Sequence, residues 1–414
     1  MKYWRRLDNA AKIFPSASNG HDTNVFRFYC ELNEKVEHKY LQEALDKAIE
    51  QFPIYRSVMK KGLFWYYLED SLIKPTVEIE SEYPCSKIYD KDIKKLLFRV
   101  TYYEKRINLE VYHVLTDGTG AEEFLKALVA NYLLIKYKIS SSSVNMDFDA
   151  SVYQRADDSY KKYYEKDKKK KNKARIAYKI KASKTPNCEL KIIEGVMPCK
   201  MVLDKAHEYN VTVTSLFIGI LLDSIFREMP VSEIKKPVVV SVPVNLRRYF
   251  DSASARNFFG VISVPYDFSK MSHEFGDIVK YVNDFLKKEL DKDKIKLRMN
   301  ALIGVEKNVM IRAVPLCIKN IILNIAFKIT ETFETTTVSN LGQIFMPKVF
   351  EEYIHSFGMF VATNKIQAGI CTYNDTLTVS FSSCFMNADI EKRFFRALTD
   401  MNIPVEITAN TISE

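Results

Sequence analysis

The chain has 414 residues, 47% of them hydrophobic and 13% aromatic, with a formal net charge of +9. This composition excludes a disordered or fibrous protein, and the length suggests two domains of about 200 residues each. The basic balance is uneven: between Tyr160 and Lys173 eight lysines against Glu165 and Asp167 supply +6 of the total. The remainder is close to neutral and carries no helix-turn-helix, zinc finger or aromatic-basic interleaving, which argues against a nucleic-acid-binding surface. The seven cysteines (Cys30, Cys85, Cys188, Cys199, Cys317, Cys371 and Cys384) are scattered without a C-x-x-C pair. They read as reduced thiols of a cytoplasmic protein, not as a disulfide framework or a zinc site. No H-x-x-x-H or H-E-x-x-H spacing, phosphate-loop signature, dinucleotide fingerprint or G-x-S-x-G elbow is present, so metal, nucleotide and hydrolase readings lack support.

In chain order, Met1–Asp8 has no apolar stretch behind its charges and does not read as a signal peptide. A strand is expected at Asn24–Cys30 and a helix at Glu37–Gln51, with Tyr40, Leu41, Ala44, Leu45, Ala48 and Ile49 on one face. Strands follow at Phe64–Leu68 and Leu96–Tyr103, the latter pairing with Ile107–Val114 as a hairpin over Glu104–Arg106.

The second hairpin strand carries the first chemical signal. Ile107, Leu109 and Val111 alternate with polar or amphipathic residues, and His113 continues their inward row. The pattern then breaks at Asp117-Gly118, and Thr119 with Glu122 has the spacing of a capping box for a helix containing Phe124, Leu125 and Leu128. An imidazole held near the end of a strand suits a general base, because its unperturbed pKa of roughly 6.5 leaves it able to accept a proton. Asp117 is then either a partner of the ring or a brace for the turn.

The lysine run at 161–185 reads as a linker or crossover between a first lobe, 1–160, and a second, 186–414. The second lobe opens with a helix at Cys199–Tyr209, the turn Asn210–Ser215 and an apolar helix at Leu216–Glu228. A valine-rich strand at Pro237–Val244 runs into Asn245-Leu246-Arg247-Arg248, followed by Arg256-Asn257-Phe258-Phe259-Gly260. Two apolar stretches, Leu216–Phe226 and Val314–Ile329, are interrupted by polar residues and fall short of the roughly 18 residues of a membrane span. Both read as buried or amphipathic helices. The second, apolar and basic together, also has the make-up of a helix that touches a membrane surface. A β-branched strand at Thr335–Val338 leads into Ser339-Asn340-Leu341-Gly342. The chain closes with a hairpin, Ile366–Tyr373 and Thr376–Cys384, and a helix at Ile390–Met401.

The spacing H-x-x-x-D-G at His113–Gly118 resembles the active-site motif of the coenzyme-A-dependent acyltransferase superfamily. That group includes chloramphenicol acetyltransferase, condensation domains of peptide synthetases, wax-ester synthases and alcohol acetyltransferases. Many members carry a second histidine where this chain has Tyr112. The helix–turn–helix order around Thr212, the Pro243–Arg247 segment and Ser339–Gly342 resemble further segments of the same superfamily in the same order, and Trp4–Pro15 resembles the opening of its alcohol-acetyltransferase-like branch.

The resemblance implies an α/β (α+β) fold of two similar lobes, each a mixed sheet packed with helices. The expected form is a pseudo-twofold sandwich like that of chloramphenicol acetyltransferase, with the active site in the cleft. It implies transfer of an acyl group, acetyl first among them, from acyl-coenzyme A to an alcohol, with His113 as base and no acyl-enzyme. Asp117 and Gly118 complete the motif, Arg247 braces Asp117, and Ser339 donates to the oxyanion. Asn340 and Asn257 are expected on the substrate or coenzyme A wall. No metal or bound cofactor is implied, acyl-coenzyme A being a co-substrate. Two other readings stay open: a condensation-type enzyme fed by an acyl-carrier protein, with an amine or hydroxyl acceptor, and a non-catalytic relative that binds or supports.

Overall fold

A computed structural model describes residues 4–20, 22–140, 159–163, 175–306 and 314–412. Most of the lysine run, beyond Tyr163, lies outside the described residues.

Two sheets organise the molecule. The first has five strands in the order Ile354–Val361, Val25–Leu32, Arg106–Tyr112, Phe98–Tyr103 and Val77–Ile79. Its hairpin registers Val100 on Leu109 and Phe98 on Val111, so the expected alternation places both apolar rows on one face. The helices His38–Gln51 and Gly118–Lys136 cover that face with Leu41, Leu45, Phe124, Leu125 and Leu128, all buried. The second sheet has seven strands in the order Phe259–Tyr266, Val238–Asn245, Thr336–Ile344, Ile366–Tyr373, Thr376–Ser383, Lys191–Pro198 and Glu406–Ala409. It is mixed, Thr336–Ile344 running parallel to both of its neighbours. Val213–Glu228 packs against Phe275–Glu289 and Asp389–Asp400, and its side chains Leu216, Ile218, Leu221 and Ile225 are fully buried. A small third sheet joins Trp4–Arg6, Tyr66–Asp70 and Ser57–Lys61.

The lobes do not divide the chain at one point. Strand Ile354–Val361 comes from the second half yet pairs with Val25–Leu32, Phe357 lying opposite Cys30. It then sits against the second sheet so closely that a Cβ on Gly369 would lie 2.3 Å from the Met359 carbonyl oxygen. Residues 175–185, within the expected linker, are held to the second lobe: Ala177 N donates to Thr332 O, Tyr178 N to Pro237 O and Thr185 N to Cys384 O.

One local expectation changes and another is narrowed. The helix after the motif starts at Gly118 with Asp117 as its N-cap, Gly120 N donating to Asp117 Oδ1 at 3.1 Å. A carboxylate directly before the first turn satisfies the free N–H groups and the positive end of the helix dipole better than the Thr119 hydroxyl two residues on, inside that turn. The Val314–Ile329 stretch, expected as a buried or amphipathic helix, forms Leu316–Glu331 with its isoleucines exposed. Among the described residues no single helix is long and apolar enough to cross a membrane.

Candidate active site

Strand Arg106–Tyr112 ends one residue before His113. The chain turns there, with Leu115 N donating to Tyr112 O and His113 N to the carbonyl of Asn24, just before the neighbouring strand, both at 2.9 Å. Tyr112 points the other way, its hydroxyl 3.0 Å from Ser18 Oγ and its ring stacked on Tyr89. The His113 ring is walled by aromatic groups. Phe14 stacks on it at 4.5 Å between centroids, Phe26 meets it edge-on at 5.0 Å, and Phe259 tilts against it at 5.6 Å. Burial among these rings pushes the imidazole pKa below its ordinary value, while the Asp117 charge and the Asn257 hydrogen bond oppose the shift in part. The ring is therefore neutral at physiological pH.

Its tautomer follows from Asn257. The Asn257 amide nitrogen donates to His113 O at 3.1 Å and to Asp8 Oδ2 at 3.2 Å, both of which only accept. Asn257 Oδ1 must then be the atom 3.0 Å from His113 Nδ1, and it accepts a hydrogen from that nitrogen. With Nδ1 carrying the proton, Nε2 keeps its lone pair. Asp8 is itself anchored by Ala11 N at 2.8 Å and by Arg256 Nη2 at 3.6 Å. The opening segment, through Asp8, thus fixes the residue that orients the histidine. Asn257, expected on the substrate wall, is instead almost completely buried behind the ring, because its three polar contacts all lie inside the protein.

Asp117 does not pair with the ring. Its Oδ2 accepts from Arg247 Nη1 at 2.8 Å and from Phe258 N at 2.7 Å, and its Oδ1 caps the helix. Arg247 also donates to the carbonyls of Ser254, Phe258 and Arg256, so one guanidinium ties the 254–258 loop to the motif turn. The fit at this turn is tight: Thr116 Oγ1 donates to Ala255 O, and a Cβ on Gly120 would lie 2.1 Å from that same oxygen.

His113, Asp117 and Gly118 from the first lobe share a cavity of about 730 Å³ with Val244, Ser339 and Asn340 from the second. The size is that of a small-molecule site. Ser339 lies on strand Thr336–Ile344, opposite Gly369 in the parallel pairing. The strand bulges between Asn340 and Gly342, where Gly342 takes a φ of +83° that favours glycine. Asn340 reaches the cavity wall, yet its Nδ2 donates to Thr214 Oγ1 and its Oδ1 accepts from Gly342 N, so the side chain chiefly holds the bulge. Leu341 packs against Gly118, where a Cβ would meet it at 3.3 Å.

Two carboxyls on the same wall, Glu122 and Asp22, are given no chemical role by the sequence. Burial raises Glu122 to about 7, with Glu123 adding to the shift and Lys126 and Arg248 opposing it. Asp22 is raised to about 6, chiefly by burial. Glu122 stands out in the sequence only by its capping-box spacing and Asp22 by no motif, so only the folded surroundings mark them as titratable groups of the cavity.

No protein-family model matches the sequence, and no curated protein matches it. Solved structures do. TRI101 of F. sporotrichioides, complexed with coenzyme A and T-2, superposes with a TM-score of 0.66 at 10% identity, over 98% of this chain and 99% of that one. TRI3 trichothecene 15-O-acetyltransferase from Fusarium sporotrichioides gives 0.62 at 10% identity, over 97% and 94%. The first condensation domain of the CDA synthetase gives 0.60 at 14%, over 96% of each chain. The fold is thus the two-lobed sandwich common to coenzyme-A-dependent acyltransferases and condensation domains, and it extends over nearly the whole chain.

Proposed function

We propose that the protein transfers an acyl group from acyl-coenzyme A to the hydroxyl of a small-molecule acceptor. The observation that carries this reading is the neutral His113 ring, its Nδ1 proton held by Asn257, at a cavity walled by both lobes. His113 Nε2 takes the acceptor O–H proton as the oxygen attacks the thioester carbonyl carbon. The Ser339 hydroxyl donates to the oxygen of the tetrahedral adduct, a contact worth roughly 3 kcal/mol in such sites. The C–S bond then breaks, and the departing thiolate receives the proton from His113. Asp117 and Arg247 hold the turn and take no part in proton transfer.

The test follows free thiol released from acetyl- and longer acyl-coenzyme A in the presence of a panel of alcohols and amines. Acceptor-dependent release should fall about 100-fold or more in His113→Ala. Equal activity in the two proteins would rule out His113 as base.

The condensation-domain likeness favours a second reading, in which a carrier protein delivers the acyl thioester. Stimulation by an acylated carrier protein over the free coenzyme A thioester would select it.

A further inference from the structure

Helix Leu316–Glu331 buries Leu316 but turns its isoleucines outward. Its body-facing side carries Lys319, Asn320 and Asn324, which make specific bonds to the first lobe. Lys319 Nζ donates to Phe64 O at 2.9 Å and sits 3.4 Å over the Trp65 ring; Asn320 Nδ2 donates to Tyr66 Oη at 3.1 Å and Asn324 Nδ2 to Ser16 O at 2.7 Å. Its outward side presents Ile318, Ile321, Ile322, Ile325 and Ile329, each exposed over at least half its surface. The positions i, i+3, i+4, i+7 and i+11 form one stripe. Leu63, whose carbonyl accepts from Leu316 N at 2.9 Å, continues the stripe at the helix start and is also exposed.

The other end of the stripe is cationic. A hollow of about 520 Å³ opens there, lined by Lys179, Lys181, Lys184, Lys328 and Lys365, with Glu331 as its single carboxylate. Lys365 is answered by Glu331 and Glu334, both at 3.5 Å, and Lys181 by Glu233. Lys184 and Lys328 have no carboxylate within 4.0 Å among the described residues. Lys328 belongs to both features, since it lies on the exposed side of the helix and lines the hollow.

We infer that this face docks on an anionic phospholipid surface, the isoleucines entering the acyl boundary and the lysine-lined hollow meeting lipid phosphates. An apolar stripe this wide and this exposed marks an interaction site in a folded protein. Its length suits a helix lying in the plane of an interface. Charge complementarity selects the occupant. A second copy of this chain would cover the isoleucines but bring only Glu331 and Glu334, already paired with Lys365, to the lysines, whereas a bilayer containing anionic lipid answers both features.

The experiment is co-sedimentation of the full chain with sucrose-loaded vesicles, of phosphatidylcholine alone or mixed with phosphatidylglycerol. The wild type should pellet with the mixed vesicles, less with the neutral ones, and less again as salt is raised. The double variant Ile321→Asp/Ile325→Asp should lose about tenfold or more in partitioning. Lys328→Glu should reduce only the preference for anionic lipid. Val231→Asp, at an apolar residue 85% exposed elsewhere, should bind as wild type does. The inference fails if the wild type stays in solution with both vesicles, or if the double variant still pellets. It also fails if light scattering shows a lipid-free dimer that the double variant dissociates. Unchanged thermal unfolding shows that the double variant is folded; if it is not, Lys328→Glu decides.

Discussion

Asn257 Oδ1 and His113 Nδ1 are hydrogen-bonded at 3.0 Å across 144 positions of chain. The carboxamide also grips the His113 carbonyl and Asp8, so ring, backbone and opening segment are joined through one side chain. Removing it should affect the protonation of the base as well as its position. Asn257→Ala is expected to lower kcat by about tenfold or more and to move the acidic limb of the pH–rate profile to lower pH, because the bond raises the imidazole pKa. A purely structural role would lower the rate without moving the limb.

Stability should depend on pH through the same ring. Burial holds the folded His113 pKa below its unfolded value, so the unfolded chain binds more protons between the two. This cost is absent above the ordinary histidine pKa and grows as pH falls below it. Denaturant unfolding of wild type and His113→Gln should therefore show the variant gaining relative stability from about pH 7.5 to about pH 5.5. A difference that stays constant would contradict the assignment.

Glu122 carries the opposite sign. Its folded pKa of about 7 lies above the 4.5 of an unperturbed glutamate, so the native state holds the proton more tightly and loses stability as pH rises through that window. Glu122→Gln should stabilise the protein at about pH 8, by on the order of 1 kcal/mol, and change little at about pH 4. Thermal melts of the two proteins at both pH values check this.

The Arg247–Asp117 pair is almost fully buried and spans the two lobes. Arg247→Met leaves the carboxylate without its cation and should cost about 3–5 kcal/mol in unfolding free energy. Asp117→Asn added to that variant should recover part of the loss, since it removes the stranded charge. A double-mutant cycle without coupling would show that the pair is not a unit.

Ser339→Ala tests the oxyanion donor separately from the base. The expected result is a fall in kcat of about 100-fold with little change in KM, as for a contact made in the transition state and not in the ground state. A variant that keeps full kcat would move the role to a backbone N–H.

What was legible in the sequence is what neighbouring residues dictate. The alternation at Ile107–Val111 set a strand, though it stops at Tyr112, short of the expected Val114, and the apolar run set the helix expected at Leu216–Glu228, which starts earlier, at Val213, where Thr212 caps it through Ser215 N. Hairpins Phe98–Tyr112 and Ile366–Ser383 were equally local. Even there the cap fell on Asp117 and not Thr119, because the strength of an N-cap depends on which oxygen reaches the free N–H groups. Pairing Arg247 with Asp117 was an expectation from resemblance, since no periodicity links positions 130 apart.

Only the tertiary structure decided the rest. The return of Ile354–Val361 to the first sheet depends on a partner strand more than 300 positions away. Asn257 became a buried orienting group because Asp8, His113 and the 254–258 loop converge on it. The outward face of Leu316–Glu331 followed from the same cause. Periodicity reveals that a helix has two faces, but which one turns inward depends on what the body offers. Here the Phe64 and Ser16 carbonyls and the Tyr66 hydroxyl were there to bond its polar side.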